Sequence, residues 1–504
     1  MPAAFQIVGW SSLDKVPGIG GETIYGGGPI SASAIPLALL VVGTKLATGS
    51  MTPNQDVLQA FDAADVDAKA GAGAEIAGMA YVALQYGIPV FMAPVAEAGG
   101  AVAATLTITL TGTVAAGTWA VRLNGKLYTG AFSISDTLTT IAAAIAAAVN
   151  ADSRCPFTAS SSLGVVTVTV KSKGARGNLH IGIIDPSQKL AAGMTMTLTG
   201  GTALTGGATP FTGGTGTETN TTLLGVLFAS EFARIASAET DSTNLAAWRT
   251  QLDAQAGPTS NLLQHLIFCT NGTLTAAQSL SQTTLNHARF CGMQYLYSET
   301  HPSIVAASFA ALRVATEQAD PDASYDDATL LGVAPQSQKQ DWPSYAQKVA
   351  ALNSGVTPVY TSADGYAKIV RAIVTRCLNG AVPDYRVLDV GDAVVPDFVR
   401  RDVGLDWQTS FRVANPRNAP DPADTSRPLP SGVGTPATWN SAVEAKLRKY
   451  ERGEGFAAPI ITNVDGNKPS SSWDDVGKRI MTAIPVAAMP NTHQIGISVR
   501  QVAA

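Results

Sequence analysis

Cysteine and charge are both scarce in this chain. Among 504 residues there are four cysteines, and Asp, Glu, Lys and Arg together make up 14%. The cysteines show no CxxC spacing; they are Cys155, Cys269, Cys291 and Cys377. This pattern argues against a zinc site and against a disulfide scaffold, and it is compatible with a reducing cytoplasm. Low charge combined with 46% hydrophobic residues is typical of a protein that buries much of its surface against neighbouring molecules.

Dense basic clusters and long apolar runs are also missing. The formal net charge is −5, and no Lys/Arg cluster is dense enough to bind the phosphates of a nucleic acid. We therefore expect no nucleic-acid partner. The most apolar run, "IPLALLVVG" (residues 35–43), is far too short to span a bilayer. The first residues lack the basic and then apolar pattern of a signal peptide. We therefore expect a cytoplasmic chain, or part of an assembly, without membrane insertion.

Motifs that carry chemistry are missing as well. GxxxxGKS/T, HExxH and GxSxG do not occur, and the five histidines do not cluster. "GIGGETIYGGG" (residues 18–28) neither follows a buried strand nor opens a helix, which indicates structural glycine and no phosphate loop. The acidic stretch "ADPDASYDDATL" lacks the spacing and closing Glu of a calcium loop. We expect no catalytic, cofactor-binding or metal-binding residues, and no enzyme.

Alternating strand and helix patterns predict an α/β body in two parts, residues 30–100 and 211–355. In the first part, "LALLVVG" and "IPVFMAPV" indicate buried strands on either side of the helix "GAGAEIAGMAYVALQY". In the second part, "ASEFARIASAE" (residues 229–239) and "TNLAAWRTQLDAQAG" indicate helices, whereas "LLQHLIFCT" and "FCGMQYLYS" indicate strands. The fold class is thus α/β (α+β) with several domains.

A mostly-β insertion, residues 101–210, separates the two parts of the body. Thr/Val strands such as "ATLTITLTG" and "VVTVTVKSKG" alternate with Gly turns, and one Ala-rich helix, "TLTTIAAAIAAAVNAD", interrupts them. "RLNGKLY" carries the Asn-Gly pair that is typical of a tight hairpin. A C-terminal domain, residues 356–490, then supplies a strand, a long helix, a Pro-rich loop (residues 415–436) and a charged helix.

Both ends of the chain indicate extended arms. Residues 1–29 are Gly-rich and hold two short strand-like pieces, with too little apolar content for a core. In the last segment, residues 491–504, apolar Ile495, Ile497 and Val499 alternate with polar residues, which is the period of a half-buried strand. No tight turn precedes this strand, so it has no obvious local partner.

The charged helix carries four cations close together: Lys446, Arg448, Lys449 and Arg452. Residues three or six apart share one side of a helix. This is either an ordinary solvated face or a basic patch for an acidic protein partner.

The order of these segments resembles the tail sheath proteins of Mu-like contractile phages. The resemblance lies in the opening "FQIVGWSSLDKVPGIGGETIYGGG", the first core strand "IPLALLVVGTKLATGS" and the β insertion. It continues in "GVTPVYTSADGYAKIVRAIVTRCLNGAVPDYRVLDVGDAVVPDFVRRDV", in "GVGTPATWNSAVEAKLRKYERGEGF" and in the last strand, "HQIGISVRQVA". It covers nearly the whole chain through pattern and order, without a single diagnostic motif, and residues 219–300 match only in outline.

The resemblance implies that the arms add strands to sheets of neighbouring subunits. The expected residues of the C-terminal arm are Ile495, Ile497, Val499 and Val502. Those of the N-terminal arm are Phe5, Ile7, Trp10, Ile24 and Tyr25. Glycines without side-chain clashes would form the arm hinge: Gly20, Gly21, Gly26, Gly27 and Gly28.

The resemblance also implies a mechanical role in a virion. Subunits would stack as rings around a tail tube, contract when the baseplate triggers them, and drive the tube through the host envelope for genome delivery. The implied partners are further copies of the chain, the tube protein, and baseplate and terminator proteins, with assembly in the host cytoplasm. The insertion would face outward, and the charged helix would lie near the tube, with its four cations as tube-contact candidates. No cofactor is implied.

Three other interpretations stay open from the sequence. The sheath of a phage-derived injection particle, a tailocin, would use the same sheath chemistry, and neighbouring capsid genes would decide between the two. An α/β enzyme would need clustered acid, base or nucleophilic residues at strand ends, which we do not find. A β-rich surface adhesin would need export, which the missing signal peptide speaks against.

Overall fold

The computed structural model describes residues 37–204, 207–257, 260–423, 429–476 and 478–491. The predicted arm residues at both ends, from Phe5 to Gly28 and from Ile495 to Val502, therefore lie outside the described residues. The described chain divides into two units. The larger unit holds residues 37–317 and 323–393, and the smaller unit holds residues 318–322 and 394–490.

The strands and helices are numbered here in chain order. The strands are β1 Leu39–Thr44, β2 Leu58–Ala60, β3 Val90–Val95, β4 Thr105–Gly112, β5 Gly117–Leu123, β6 Lys126–Phe132, β7 Phe157–Ser162, β8 Val165–Val170, β9 Ile181–Ile184, β10 Met194–Thr199, β11 Thr209–Pro210, β12 Arg234–Ser237, β13 His265–Thr270, β14 Phe290–Gln294, β15 Val356–Thr361, β16 Ala367–Ile369, β17 Leu378–Asn379, β18 Val382–Pro383, β19 Arg417–Asn418, β20 Val433–Gly434, β21 Ser470–Asp474 and β22 Arg479–Ala483. The α-helices are α1 Ala63–Ala70, α2 Glu75–Leu84, α3 Leu138–Asn150, α4 Thr221–Leu227, α5 Ser242–Gln255, α6 Leu274–Gln278, α7 Pro302–Glu317, α8 Tyr345–Asn353, α9 Val390–Asp406, α10 Arg412–Ala414 and α11 Pro436–Glu451. Short 3-10 helices span Ala175–Leu179 and Lys339–Asp341, and π-helical turns span Ser279–Leu285 and Trp407–Phe411.

The body of the larger unit is one eight-stranded sheet in the order β16-β15-β14-β13-β12-β1-β3-β2. The six strands from β15 to β3 run parallel, and an antiparallel strand closes each edge. Helices cover both faces. On β1, Leu39 and Val41 belong to the core that holds α2 and α7, whereas Leu40 and Val42 belong to the core that holds α4 and α5. This burial on both faces explains why β1 is a continuous apolar run.

The predicted helix at residues 229–239 is wrong. Its middle is β12, which pairs in parallel with β1 on one side and β13 on the other. All four residues of β12 are buried in the centre of the sheet. Ala and Glu favour a helix locally, but burial between two strands overrides that weak preference.

The chain between β3 and α4 forms two four-stranded sheets, in the orders β10-β4-β8-β7 and β11-β9-β5-β6. Ile141, Ile145 and Val149 of α3 join one core with Val166 and Val168 of β8. The mostly-β character and the single Ala-rich helix agree with the sequence, while the proposed boundaries at 101 and 210 stay a prediction.

The Asn-Gly hairpin is confirmed. Asn124 and Gly125 join β5 to β6, and their φ angles are +51° and +81°. Two consecutive positive φ angles are the requirement of the tight hairpin turn that the Asn-Gly pair favours.

The smaller unit contains most of α9, with α10, α11 and two two-stranded sheets, β19–β20 and β21–β22. Its core joins Val395, Val399 and Val403 of α9 to Trp439 and Val443 of α11. No helix within the described ranges is long and apolar enough to cross a membrane.

Candidate assembly site

Helix α11 carries the four predicted tube-contact cations. Pro436 occupies its first turn, and Thr435 forms a reciprocal capping box with Thr438. The buried residues of the helix form one apolar stripe: Trp439, Val443, Leu447 and Tyr450. The four cations lie outside this stripe.

Lys446 is directed into its own unit. Its side chain is only 15% exposed, and its Nζ lies 2.9 Å from Asp402 Oδ2 and 2.7 Å from Asp406 Oδ2. The Tyr450 hydroxyl donates a hydrogen bond to the same Asp402 carboxylate. The contact joins α9 to α11 across the core of the smaller unit.

Two of the other three cations also have acidic partners nearby. Arg448 lies 2.8 Å from Glu444 and 2.7 Å from Asp465, and Arg452 lies 2.6 Å from Glu454. Lys449 is exposed and, within the described part of the chain, makes no ion pair. The tube contact of these residues stays a prediction, but the four cations are not equivalent.

Strands β21 and β22 form a hairpin that pairs Ser470 with Ala483 and Asp474 with Arg479. No third strand joins this sheet among the described residues. Isolated two-stranded sheets are marginally stable, and their outer edges present unpaired N–H and C=O groups. The Ser471 hydroxyl donates to Asn440 Oδ1 at 3.2 Å, which ties the hairpin to α11.

A groove of about 690 Å³ lies beside this hairpin. Most of its lining residues are apolar, although Arg400 and Thr482 also line it, and it is called the apolar groove below. Its lining includes Val399 and Val403 of α9, Trp407 of the π-helical turn that follows α9, Trp439 of α11 and Ile480 of β22. The ring centroids of Trp407 and Trp439 are 4.9 Å apart in an edge-to-face arrangement. Sequence reasoning missed the groove because three separate segments form it, and none carries a motif.

One curated relative is similar to part of the chain. It is the Mu-like prophage FluMu tail sheath protein of Haemophilus influenzae, 31% identical over 155 residues. The chain is similar to a phage tail sheath protein. The match covers 29% of this chain and 31% of that relative's own length. No family model matches the chain. The relative confirms the resemblance to Mu-like sheath proteins, while the activity and partners of a whole sheath protein are a proposal for this chain.

Solved structures show a fainter similarity. The sheath tail protein of Desulfitobacterium hafniense is 14% identical, with 94% of this chain and 100% of that chain covered and a TM-score of 0.45. The sheath tail protein of Listeria innocua is 11% identical, with coverage of 91% and 93% and a TM-score of 0.47. A chain of the contracted anti-feeding prophage baseplate is 10% identical, with coverage of 97% and 99% and a TM-score of 0.47. TM-scores below 0.5 establish no shared structural detail.

Proposed function

We propose that this chain is a structural subunit of a contractile tail sheath. It polymerises around a tail tube and contracts to drive the tube through the host cell envelope for genome delivery. The observation that carries the proposal is the 155-residue match to a tail sheath protein. The open hairpin and its apolar groove support it, because they offer a place where subunits can join.

The joining step is addition of a strand. The C-terminal arm, residues 491–504, pairs with an open edge of the β21–β22 hairpin of a neighbouring subunit. Main-chain hydrogen bonds supply the strength, and alternating side chains fix the register. Ile495, Ile497 and Val499 face the apolar side of the hairpin, where Ile480 lines the groove. The Gly-rich N-terminal arm links a second neighbour in the same manner.

The tube contact is weak and must break during contraction. Lys449 is the best-placed cation for an acidic tube surface because it is exposed and, within the described part of the chain, makes no ion pair. Arg448 and Arg452 can exchange their partners Glu444 and Glu454 for tube carboxylates, since exposed ion pairs contribute only ~0–1 kcal/mol each. Lys446 has a structural role instead, holding α9 against α11.

The proposed partners are therefore further copies of the chain, the tail tube protein, and baseplate and terminator proteins. The protein assembles in the host cytoplasm and ends in the virion tail. We propose no catalytic activity, because the named relative is a structural protein.

Electron microscopy of two purified chains tests the proposal. Full-length protein and a version lacking residues 491–504 are concentrated and imaged in negative stain. The proposal expects rings or tubes from the full-length chain and dispersed particles from the truncation. If neither chain assembles, even when the tube protein is co-expressed, the sheath function is wrong. Equal assembly of both chains would instead contradict only the proposed role of the C-terminal arm in joining subunits.

A further inference from the structure

The insertion meets the α/β body through a buried ion pair. Glu75 opens α2, and its Oε2 accepts hydrogen bonds from the Thr44 amide and hydroxyl, each at 3.0 Å, at the carboxyl end of β1. Arg176 of the insertion reaches the same carboxylate through Nη2 at 2.6 Å and Nε at 2.9 Å. Glu218 makes a second ion pair with Arg176. The Arg176 side chain is only 11% exposed.

Two histidine rings lie close together at this joint, with their planes tilted by 33°. His180 belongs to the insertion and His301 directly precedes α7 of the body, and their ring centroids are 4.3 Å apart. Both residues are buried. On its insertion side, His180 also packs against Phe157, at 4.9 Å between ring centroids. The two rings and a cavity of about 350 Å³ beside them lie between the insertion and the body.

The hydrogen bonds of His301 fit a neutral ring. Its Nε2 lies 3.2 Å from the Arg176 carbonyl oxygen, which can only accept, so Nε2 carries the proton. Its Nδ1 then accepts from the Ser303 hydroxyl at 2.7 Å and from the Ser303 amide at 3.4 Å. A second proton on Nδ1 would face the Ser303 N–H, and the Ser303 hydroxyl would have to rotate to accept it. It would also add positive charge beside His180 and Arg176.

The surroundings favour the neutral form of both rings. Burial, and then the neighbouring His301, hold the pKa of His180 well below its usual range. Burial also lowers the pKa of His301. The Glu75 carboxylate and the hydrogen bond to the Arg176 carbonyl offset part of that effect, and the charge of Arg176 adds to it. The charged groups that act on the pair are Glu75 from α2 and Arg176 from the insertion. The cavity beside the rings is also lined by three cations of the insertion, Lys126, Arg154 and Lys173. Arg176 also pairs with the Glu218 carboxylate, and two further carboxylates, those of Glu239 and Asp241, stabilise its charge.

We propose that the joint is an acid-sensitive latch, which keeps the insertion docked on the body while His180 and His301 are neutral and releases it when they become protonated. The inference does not depend on the sheath function, because it concerns the isolated chain.

The direction follows from proton linkage. In the docked state both rings stay neutral, whereas in the released state they are exposed and titrate near the ordinary histidine pKa of about 6.5. The released state therefore binds more protons, and docking weakens as the pH falls. Below about pH 6, the ratio of docked to released molecules falls by up to about tenfold per pH unit for each histidine.

Two carboxylates near the joint, Glu75 and Glu239, have pKa values shifted in opposite directions. Despite its burial, Glu75 has a lowered pKa because Arg176 pairs with it, so Glu75 stays charged in the docked state over the pH range in which the histidines titrate. Burial raises the pKa of Glu239 to about 7, which places its titration in the same window. Glu239 bonds to Trp248, Asn220 and Ser237 inside the body, so a Glu239→Gln variant separates its contribution.

Hydrogen exchange of the full-length chain tests the latch. Exchange is measured by mass spectrometry at pH 7.5 and pH 5.5 and corrected for intrinsic rates, in peptides covering residues 175–181 and 297–304. We expect at least tenfold faster corrected exchange in these peptides at pH 5.5, with β4, β8 and β13 unchanged. The double variant His180→Gln/His301→Gln should lose this response, whereas Glu239→Gln should retain it.

A second variant keeps the test decisive if the double variant does not fold. Ser303→Ala removes the hydroxyl that donates to Nδ1 of neutral His301, so release should begin at higher pH than in the unsubstituted chain. The proposal is overturned if the joint peptides show no acid response, if the histidine variants respond like the unsubstituted chain, or if β13 accelerates together with the joint.

Discussion

The Nζ atom of Lys446 lies 2.9 Å from Asp402 Oδ2 inside the smaller unit, although the sequence places Lys446 within a group of four cations that share a helix. The pair divides that group into one structural cation and three at the surface. Asp402 is buried and Lys446 nearly so, and removal of one partner would leave the other charge uncompensated away from water.

Removing the Lys446 amine should destabilise the smaller unit. Lys446→Ala leaves the Asp402 carboxylate buried without its cation, at a cost of about 2–3 kcal/mol. The matched variant Lys449→Ala, three residues along the same helix, should change stability by less than ~0.5 kcal/mol. Urea unfolding followed by tryptophan fluorescence compares the two. Equal effects of the two variants would contradict the assigned role of Lys446.

The Glu239 carboxyl should make stability depend on pH between about 5 and 7. Its folded pKa of about 7 lies above the ordinary value, because burial disfavours the charged form. Its contribution to stability is therefore complete at low pH and is lost as the pH rises toward 7, by up to about 1.4 kcal/mol per pH unit. Glu239→Gln removes this dependence.

The stability of Glu239→Gln relative to the unsubstituted chain should thus rise from pH 5 to pH 7 and then level off. Thermal unfolding at half-unit pH steps measures this difference, and histidine effects cancel because both chains share them. A difference that stays constant over the range would rule out the raised pKa of Glu239.

Gly125→Ala should lower the stability of the protein more than Gly213→Ala does. Both glycines have a φ angle of +81°, so alanine meets the same backbone strain at each, about 1 kcal/mol. At Gly125 the added Cβ would also lie 2.7 Å from the Ala334 Cβ, whereas nothing lies within 4 Å at Gly213. We expect Gly125→Ala to be the more destabilising in thermal unfolding. The reverse order would contradict the close contact of the hairpin turn with the body.

A charge in the apolar groove should block assembly. Val486 lines the groove and is half-buried, so Val486→Glu would desolvate a carboxylate whenever an arm docked. The control is Val476→Glu in the hairpin turn, where the valine side chain is 95% exposed. Sedimentation should show polymer for the control and not for Val486→Glu, with equal circular dichroism spectra. Polymer from both variants would show that the groove is not part of the interface between subunits.

Sequence patterns predicted those elements whose signals are local. The four apolar residues that begin β1, the Asn-Gly turn at 124–125 and the capped helix α11 each follow from a few neighbouring residues. Strand β12 escaped prediction because its Ala-rich segment favours a helix until β1 and β13 enclose it. The local preference for a helix is weak compared with the stabilisation that burial between two strands provides.

The candidate site depends on contacts that a local pattern does not contain. Lys446 bonds to Asp402, 44 residues earlier in the chain, and Arg176 bonds to Glu75, 101 residues away. Nothing near Lys446 distinguishes it from Lys449. An alignment of relatives in which Asp402 and Lys446 change together would have been the signal for this pair.

Crosslinking between subunits tests whether the C-terminal arm of one subunit pairs with β22 of its neighbour. One subunit carries Met481→Cys, on the exposed face of β22, and another carries Ser498→Cys, on the polar face of the arm. The four native cysteines are buried, so a short bis-maleimide should react with the introduced thiols. We expect a covalent dimer in assembled mixtures of the two subunits, and none when the subunits also carry Val486→Glu. A crosslink that forms only within one chain, when a doubly substituted subunit is diluted with unsubstituted protein, would contradict this pairing.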